Sequence, residues 1–273
     1  MKIHTLVENE ALDPKFRAAN GLSLFIETGG KKILFDLGPD GSFLENAAAL
    51  GLAIEEVDYL VISHGHVDHG GALAHFLERN GKARVFMRGE AFEPHYMKRF
   101  LSFIDVGLPL VESDRIEFVS GPLDIAPGLR LLSGFPKRGF VPVANRKSYV
   151  RRSGKLRRDD FSHELLLIAE EEGRSFAFTG CSHSGITNMI DAALESTGKE
   201  SLDFVIGGMH LFHSRLRPLK FAHDLERLGA RLNAYRDTRY YTGHCTLSEG
   251  YEALHRRLGD RIAPIHAGTT LVL

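Results

Sequence analysis

The sequence predicts an α/β sandwich with its functional site along one edge of the sheets. Three observations lead there. Short apolar runs of strand composition, such as 59–62, 175–179 and 203–206, alternate with longer segments of helical character. Histidines stand beyond the ends of several such runs: His64, His183, His210, His244 and His266. A chain of 273 residues, 43% of them hydrophobic, can bury the core of one layered α/β domain spanning 1–273.

The elements follow in order. Residues 2–7 and 22–27 have strand composition, and Thr28-Gly29-Gly30-Lys31 turns the second into 32–35, a hairpin that feeds Asp36. A helical pattern runs from Gly38 to Leu50. The run 59–62 then enters Ser63-His64-Gly65-His66-Val67-Asp68-His69-Gly70-Gly71, a glycine-flanked loop with three imidazoles and a carboxylate in six residues. Packing has little use for that pattern; metal coordination does, because histidine and carboxylate ligands combine at zinc and iron sites. In a tight loop His64 and His66 can converge on one ion, while Asp68 and His69, leading into the next helix, face a second about 3.5–4 Å away. Asp36 is placed to orient this loop by hydrogen bonds.

Residues 72–77 read as helix, stopped at Asn80-Gly81, and 84–87 as strand. A helix interrupted by Pro94 is expected over 90–100. From about 102 to 160 the pattern loosens into a loop-rich insertion marked by five prolines, with short strands at 116–119 and 129–132. Within it, nine Lys and Arg fall between 137 and 158. They read either as a solvated mobile loop or as a rim that recruits a phosphate or carboxylate, with Arg151 and Arg152 as candidates for that contact. Strands at 163–169 and 175–179 follow, then Gly180-Cys181-Ser182-His183-Ser184-Gly185 and a helix over 186–195. Strand 203–206 precedes His210 and His213. A helix over 221–232, strand 239–241 before His244-Cys245, a helix over 247–258 and a strand-like tail around His266 complete the chain.

Composition narrows the function. With 34 basic and 35 acidic residues the net charge is −1, so no global field favours nucleic acid, and anion recognition must be local. No apolar run reaches membrane-span length and the N-terminus lacks a signal-peptide pattern, which makes a cytoplasmic protein the expectation. Two cysteines, each near a histidine, suit metal roles better than a disulfide framework.

His-x-His-x-Asp-His after a hydrophobic strand resembles the signature of the metallo-β-lactamase superfamily, and 33–38, ending Phe35-Asp36-Leu37-Gly38, resembles its preceding Asp-Gly motif. The resemblance implies an αββα sandwich. In that superfamily a strand ending Phe-x-Gly-Asp presents a metal-bridging carboxylate; here Cys181 stands at that position, and as a thiolate it could ligate zinc or iron. Gly180 to Gly185, with Asn9, 20–23, 207–211, 242–246 and 265–269, is similar to a branch that includes a dihydropterin–ribofuranosylaminobenzene 5′-phosphate condensing enzyme of methanopterin biosynthesis.

By that resemblance His64 and His66 serve metal one, Asp68 and His69 serve metal two, and His244 completes metal two. The third ligand of metal one is His183, as part of the branch signature, or His163, which lies upstream of Cys181 by a fitting interval. His210 and His266 fall at the rim or behind the ligands. The implied cofactor is two divalent ions, zinc first, with manganese or iron as alternatives. The implied activity is that of a metal-dependent hydrolase, or of a transferase using the same Lewis-acid pair, on a small anionic, phosphorylated substrate, with Asp68 orienting the attacking water. A di-iron redox protein and a nuclease of the same fold are the competing classes. No membrane or nucleic-acid partner is expected, and the oligomeric state is left open.

Overall fold

The computed structural model describes the backbone of residues 1–212 and 218–273 and the side chains of 1–212 and 221–273; His213 lies outside them. The first half comprises β1 (Lys2–Val7), β2 (Ser23–Thr28), β3 (Lys31–Phe35), α1 (Ser42–Ala49), β4 (Tyr59–Val61), α2 (Val67–Gly70), α3 (Leu73–Arg79), β5 (Arg84–Met87), β6 (His95–Arg99), β7 (Ser102–Asp105) and β8 (Ile116–Phe118). The second comprises β9 (Leu123–Ala126), β10 (Leu129–Ser133), β11 (Ser148–Arg152), β12 (Lys155–Arg158), β13 (Leu165–Glu171), β14 (Arg174–Phe178), α4 (Ile186–Thr197), β15 (Phe204–Ile206), α5 (Pro218–Ala234), β16 (Arg239–Thr242), α6 (Leu247–Leu258), β17 (Ile262–Pro264) and β18 (Thr270–Val272).

Two sheets are stacked, β18-β1-β2-β3-β4-β5-β8 and β17-β16-β15-β14-β13-β10-β9. Their inner faces meet in a core of Ile26, Phe35, Val61, Phe86, Leu167, Phe176, Phe178 and neighbours. Outside the first sheet, Phe43 of α1 and Phe76 of α3 pack over Phe25, Leu34 and Leu60. Outside the second, Met189, Ile190, Leu228 and Leu254 bring α4, α5 and α6 onto Ile168, Val205 and Tyr240. The layers are therefore α, β, β, α, as the resemblance implied. The strands expected at 59–62, 175–179 and 203–206 are short and apolar because each is buried between two layers.

Parallel pairing places the site. In the first sheet β3, β4 and β5 run parallel, and in the second β14, β15, β16 and β17 do. Their C-terminal ends gather at one edge, and the turns leaving β4, β14, β15 and β16 carry His64, Cys181 with His183, His210 and His244. At the other end of β2, Gly29 and Gly30 both take positive φ, 55° and 71°, the conformation that a two-residue hairpin turn matching strand twist requires.

Two expectations are corrected. Instead of a helix, 90–100 forms a short 3₁₀ turn and then β6, because Tyr96 and Met97 pair with Tyr149 and Ser148 of β11. The stretch 102–160 carries more strand than the two short pieces expected: it supplies β8 to the first sheet, β9 and β10 to the second, and with β6 a separate four-stranded sheet, β12-β11-β6-β7. Lys155, Arg157 and Arg158 occupy the exposed edge strand of that small sheet, where charge discourages pairing with another chain.

Candidate metal centre

The site is assembled from turns that buried carboxylates and amides hold. Asp36, fully buried at φ 60°, accepts from the Ser63 N–H (2.7 Å) and Ser63 Oγ–H (2.6 Å), and from His69 Nδ1 (2.7 Å). This fixes both ends of the histidine loop. Ser63 Oγ in turn lies 2.9 Å from His64 Nδ1 and accepts its proton. On the opposite sheet Glu164 accepts from the His183 and Ser184 N–H groups at 2.6 and 2.7 Å. Burial pushes the Glu164 carboxyl up to about 7 against the pull of those two donors. Glu8 accepts the His244 N–H, and Asn9 Oδ1 lies 2.9 Å from His244 Nδ1. Asn145 donates to the His183 carbonyl, which turns its Oδ1 toward His183 Nδ1 at 3.1 Å.

With the far nitrogens of His64, His69, His183 and His244 tied, those rings aim their near nitrogens at a common centre, and His66 turns its Nδ1 toward it. His64 Nε2 and His66 Nδ1 stand 3.1 Å apart, and buried His183 Nε2 beside them has no hydrogen-bond partner. His69 Nε2 lies 3.2 Å from both His244 Nε2 and Cys181 Sγ, and His244 Nε2 lies 3.4 Å from Asp68 Oδ2. The groups His64/His66/His183 and Asp68/His69/His244 each bring three ligand atoms within 4.8 Å of one another, and His64/His69/Cys181 joins the two. Ligand rings held from behind while lone pairs crowd in front is the arrangement that a metal ion relieves.

Electrostatics agree with that use. Burial, reinforced by the neighbouring imidazoles, holds His64 and His183 well below the usual histidine range, leaving them neutral and able to ligate. Burial likewise lowers His66. His69 is the exception: burial opposes its charge, but Asp36 and Asp68 raise it to about 9, so its proton occupies the position an ion would take. Burial opposes ionisation of Asp68, yet His244 and His69 hold its carboxyl well below the ordinary range.

The two candidates for the third ligand beside His64 and His66 differ in their hydrogen bonding. His163 Nδ1 accepts the Gly65 N–H at 2.9 Å, so its proton sits on Nε2 and points to Asp159 Oδ2, 3.3 Å away. A ring so committed has no lone pair to offer; His163 instead steadies the peptide between His64 and His66. The same proton argues against an ion within the neighbouring group His66, His95, Asp159 and His163, whose members lie close enough to suggest one. Asp159 also faces His95 Nδ1 at 2.9 Å and accepts the Phe161 N–H, anchoring the small sheet to the histidine loop.

The remaining candidates separate. His210, at φ 51°, lies with its ring centroid 4.1 Å from that of His183. His266 faces Glu8 at 3.7 Å and Glu10 at 3.9 Å, one layer behind His244. Arg152 is no free receptor for a substrate anion: its guanidinium is taken up by Glu93 (2.6 Å), Asp160 (2.7 and 3.1 Å) and Ser162 (2.6 Å). Arg151 lies over the Tyr96 ring. Sequence reasoning missed Glu8, Glu164, Asn145 and Asp159. Only Glu164 left a trace, as an acidic residue opening a buried strand.

Gly180 shows how tightly the sheets close here, since a Cβ on it would fall 2.1 Å from Ser63 Oγ. Among the described residues no helix is long and apolar enough to cross a membrane.

Comparison with known proteins adds relatives. The family model described as metallo-beta-lactamase superfamily matches residues 17–189. An uncharacterised protein of Methanocaldococcus jannaschii is 32% identical over 214 residues, 77% of this chain and 79% of that one. The 7,8-dihydropterin-6-methyl-4-(β-D-ribofuranosyl)-aminobenzene-5′-phosphate synthase of the same organism is 25% identical over 286 positions, covering 98% of this chain and 95% of the synthase. A crystal structure described as a metal-dependent hydrolase of the β-lactamase superfamily superposes with a TM-score of 0.83 at 28% identity, covering 100% of this chain and 99% of the other.

Proposed function

Since the chain belongs to the metallo-β-lactamase superfamily, we propose that it is a metal-dependent hydrolase, or a transferase using the same centre, acting on a small anionic, phosphorylated substrate. The observation that carries this reading is the pair of ligand trios, His64/His66/His183 and Asp68/His69/His244, with Cys181 between them. Two divalent ions, zinc first, would be held there, His183 completing the first set. Bound ions of this kind supply Lewis acidity: they render water nucleophilic near neutral pH and offset the negative charge that develops on the substrate.

The chain's own residues do the rest. Asp68, kept ionised by His69 and His244, accepts a hydrogen bond from the attacking water and orients it. Asp36, Glu164, Asn9 and Asn145 hold the rings in place, so that little reorganisation accompanies reaction. The substrate class rests on the full-length relative, whose name specifies a 5′-phosphate product. The test is a panel of phosphoesters, lactones and thioesters offered to protein loaded with zinc or manganese. Turnover of a phosphorylated class that His66→Ala abolishes is expected; iron in the purified protein with no hydrolysis of any class would overturn the reading in favour of redox chemistry.

A further inference from the structure

The turns that carry His244 and His183 hold a second cluster beside the metal centre. Cys181 Sγ, Cys245 Sγ and a His210 ring nitrogen all lie within 4.8 Å of one another, the two cysteines buried and the histidine half-buried. We propose that Cys181, Cys245 and His210 form a further ion site of soft donor character, sharing the Cys181 sulfur with the pair of sites already described; the proposal rests on that centre being a metal site.

Four features support it. A tetrahedral zinc ion with sulfur at about 2.3 Å and nitrogen at about 2.0–2.1 Å sets its ligand atoms roughly 3.5–3.8 Å apart, so closing this cluster takes movements of under about 1 Å for each atom. His210 Nδ1 is buried and, among the described residues, has no hydrogen-bond partner, although a buried ring nitrogen is costly to leave unpaired. The ring is placed there by a left-handed backbone at φ 51°, uncommon outside glycine. Finally, the His210 N–H donates to Cys245 Sγ at 3.2 Å, a bond that favours negative sulfur, as backbone donors do around metal thiolates.

The backbone approaches the cluster closely. Gly208 faces Cys245, and a Cβ there would lie 2.4 Å from its Sγ. Two sulfurs and an imidazole select a soft or borderline ion, Zn²⁺ or Cu(I), over Mg²⁺ or Ca²⁺. Because His244 and Cys245 are adjacent, one turn would serve both the existing centre and the added ion, and Cys181 would bridge them. The cluster therefore accounts for two cysteines in a chain that has no other.

The experiment loads the full-length protein with Cd²⁺ under reducing conditions, counts ions by native mass spectrometry and follows the near-ultraviolet thiolate-to-cadmium absorption. Three ions per chain are expected in the wild type. Cys245→Ser should hold two, with the charge-transfer absorption reduced to about half, since one of two thiolates is removed. His210→Ala, a half-buried position that keeps both sulfurs, should bind the third ion about tenfold more weakly or worse, and it stands in if Cys245→Ser fails to fold. Two ions in wild type and variants alike, with absorption unaffected by Cys245→Ser, would overturn the added site and leave the binuclear reading intact. No bound ion at all would overturn both, and peptide mapping that finds a Cys181–Cys245 disulfide would replace the ion site with a redox pair.

Discussion

Asp36→Asn tests whether the carboxylate behind the histidine loop sets the metal site. The substitution is nearly isosteric, and asparagine tolerates the left-handed φ of 60° at this position better than most residues, so backbone strain is not the variable. What changes is the acceptor inventory. The carboxylate receives three donors: the Ser63 N–H on Oδ1, and Ser63 Oγ–H and His69 Nδ1–H on Oδ2. An amide keeps the pair on Oδ2 only by turning its NH₂ toward the Ser63 N–H, two donors facing each other in a fully buried site. One charge-assisted bond is lost, worth about 1.5–3 kcal/mol, and the bonds that remain lose their charge; a total near 3 kcal/mol follows. For a chain of this size that lowers Tm by roughly 6–12 °C. Freed from its orienting partner, His69 should weaken metal binding by about 10–100-fold. Thermal melts of metal-free protein and zinc titration against a chromophoric chelator read the two effects. A variant that melts and binds zinc as the wild type does would refute the role assigned to Asp36.

Two further outcomes follow from charges away from the ligands. Burial alone would raise the Asp159 carboxyl, but His163 and His95 hold it well below its usual range. Its stabilising contribution is therefore complete above about pH 4 and is lost as pH falls below that, through the depressed native value. Asp159→Asn should cost about 3 kcal/mol at pH 7 and flatten the acid limb of a urea-unfolding series; an unchanged acid limb would count against the network. Arg152→Ala should lower stability by about 1 kcal/mol, because its partners are partly solvated, and leave KM unaltered; a large rise in KM with unchanged stability would restore Arg152 as a substrate contact.

The histidine loop was legible because its candidate ligands are local. His64, His66, Asp68 and His69 fall within six residues, and the short apolar strand before them announces that they sit at the end of a buried sheet. The sequence prefers His183 to His163 only through the branch signature, because the hydrogen bond that occupies His163 Nδ1 joins residues 98 positions apart, Gly65 and His163. Glu8 and His244 are 236 positions apart, and nothing in either neighbourhood marks the pair. The stretch 102–160 misled for a different reason. Strand periodicity records burial on one face, and Ser102–Asp105 and Lys155–Arg158 are exposed along their length, so edge pairing leaves only charges and prolines to read. Pairing with β11 likewise overrode the helical character of 90–100.

The central claim is that His183 belongs to one ion and His244 to another. Metal content per chain of His183→Ala, His244→Ala and the double variant, measured by elemental analysis beside the wild type after identical zinc loading and dialysis, tests it most directly. The account predicts that each single variant falls short of the wild type by one ion and the double variant by two. Wild-type content in His183→Ala, or the loss of both ions together in either single variant, would contradict it.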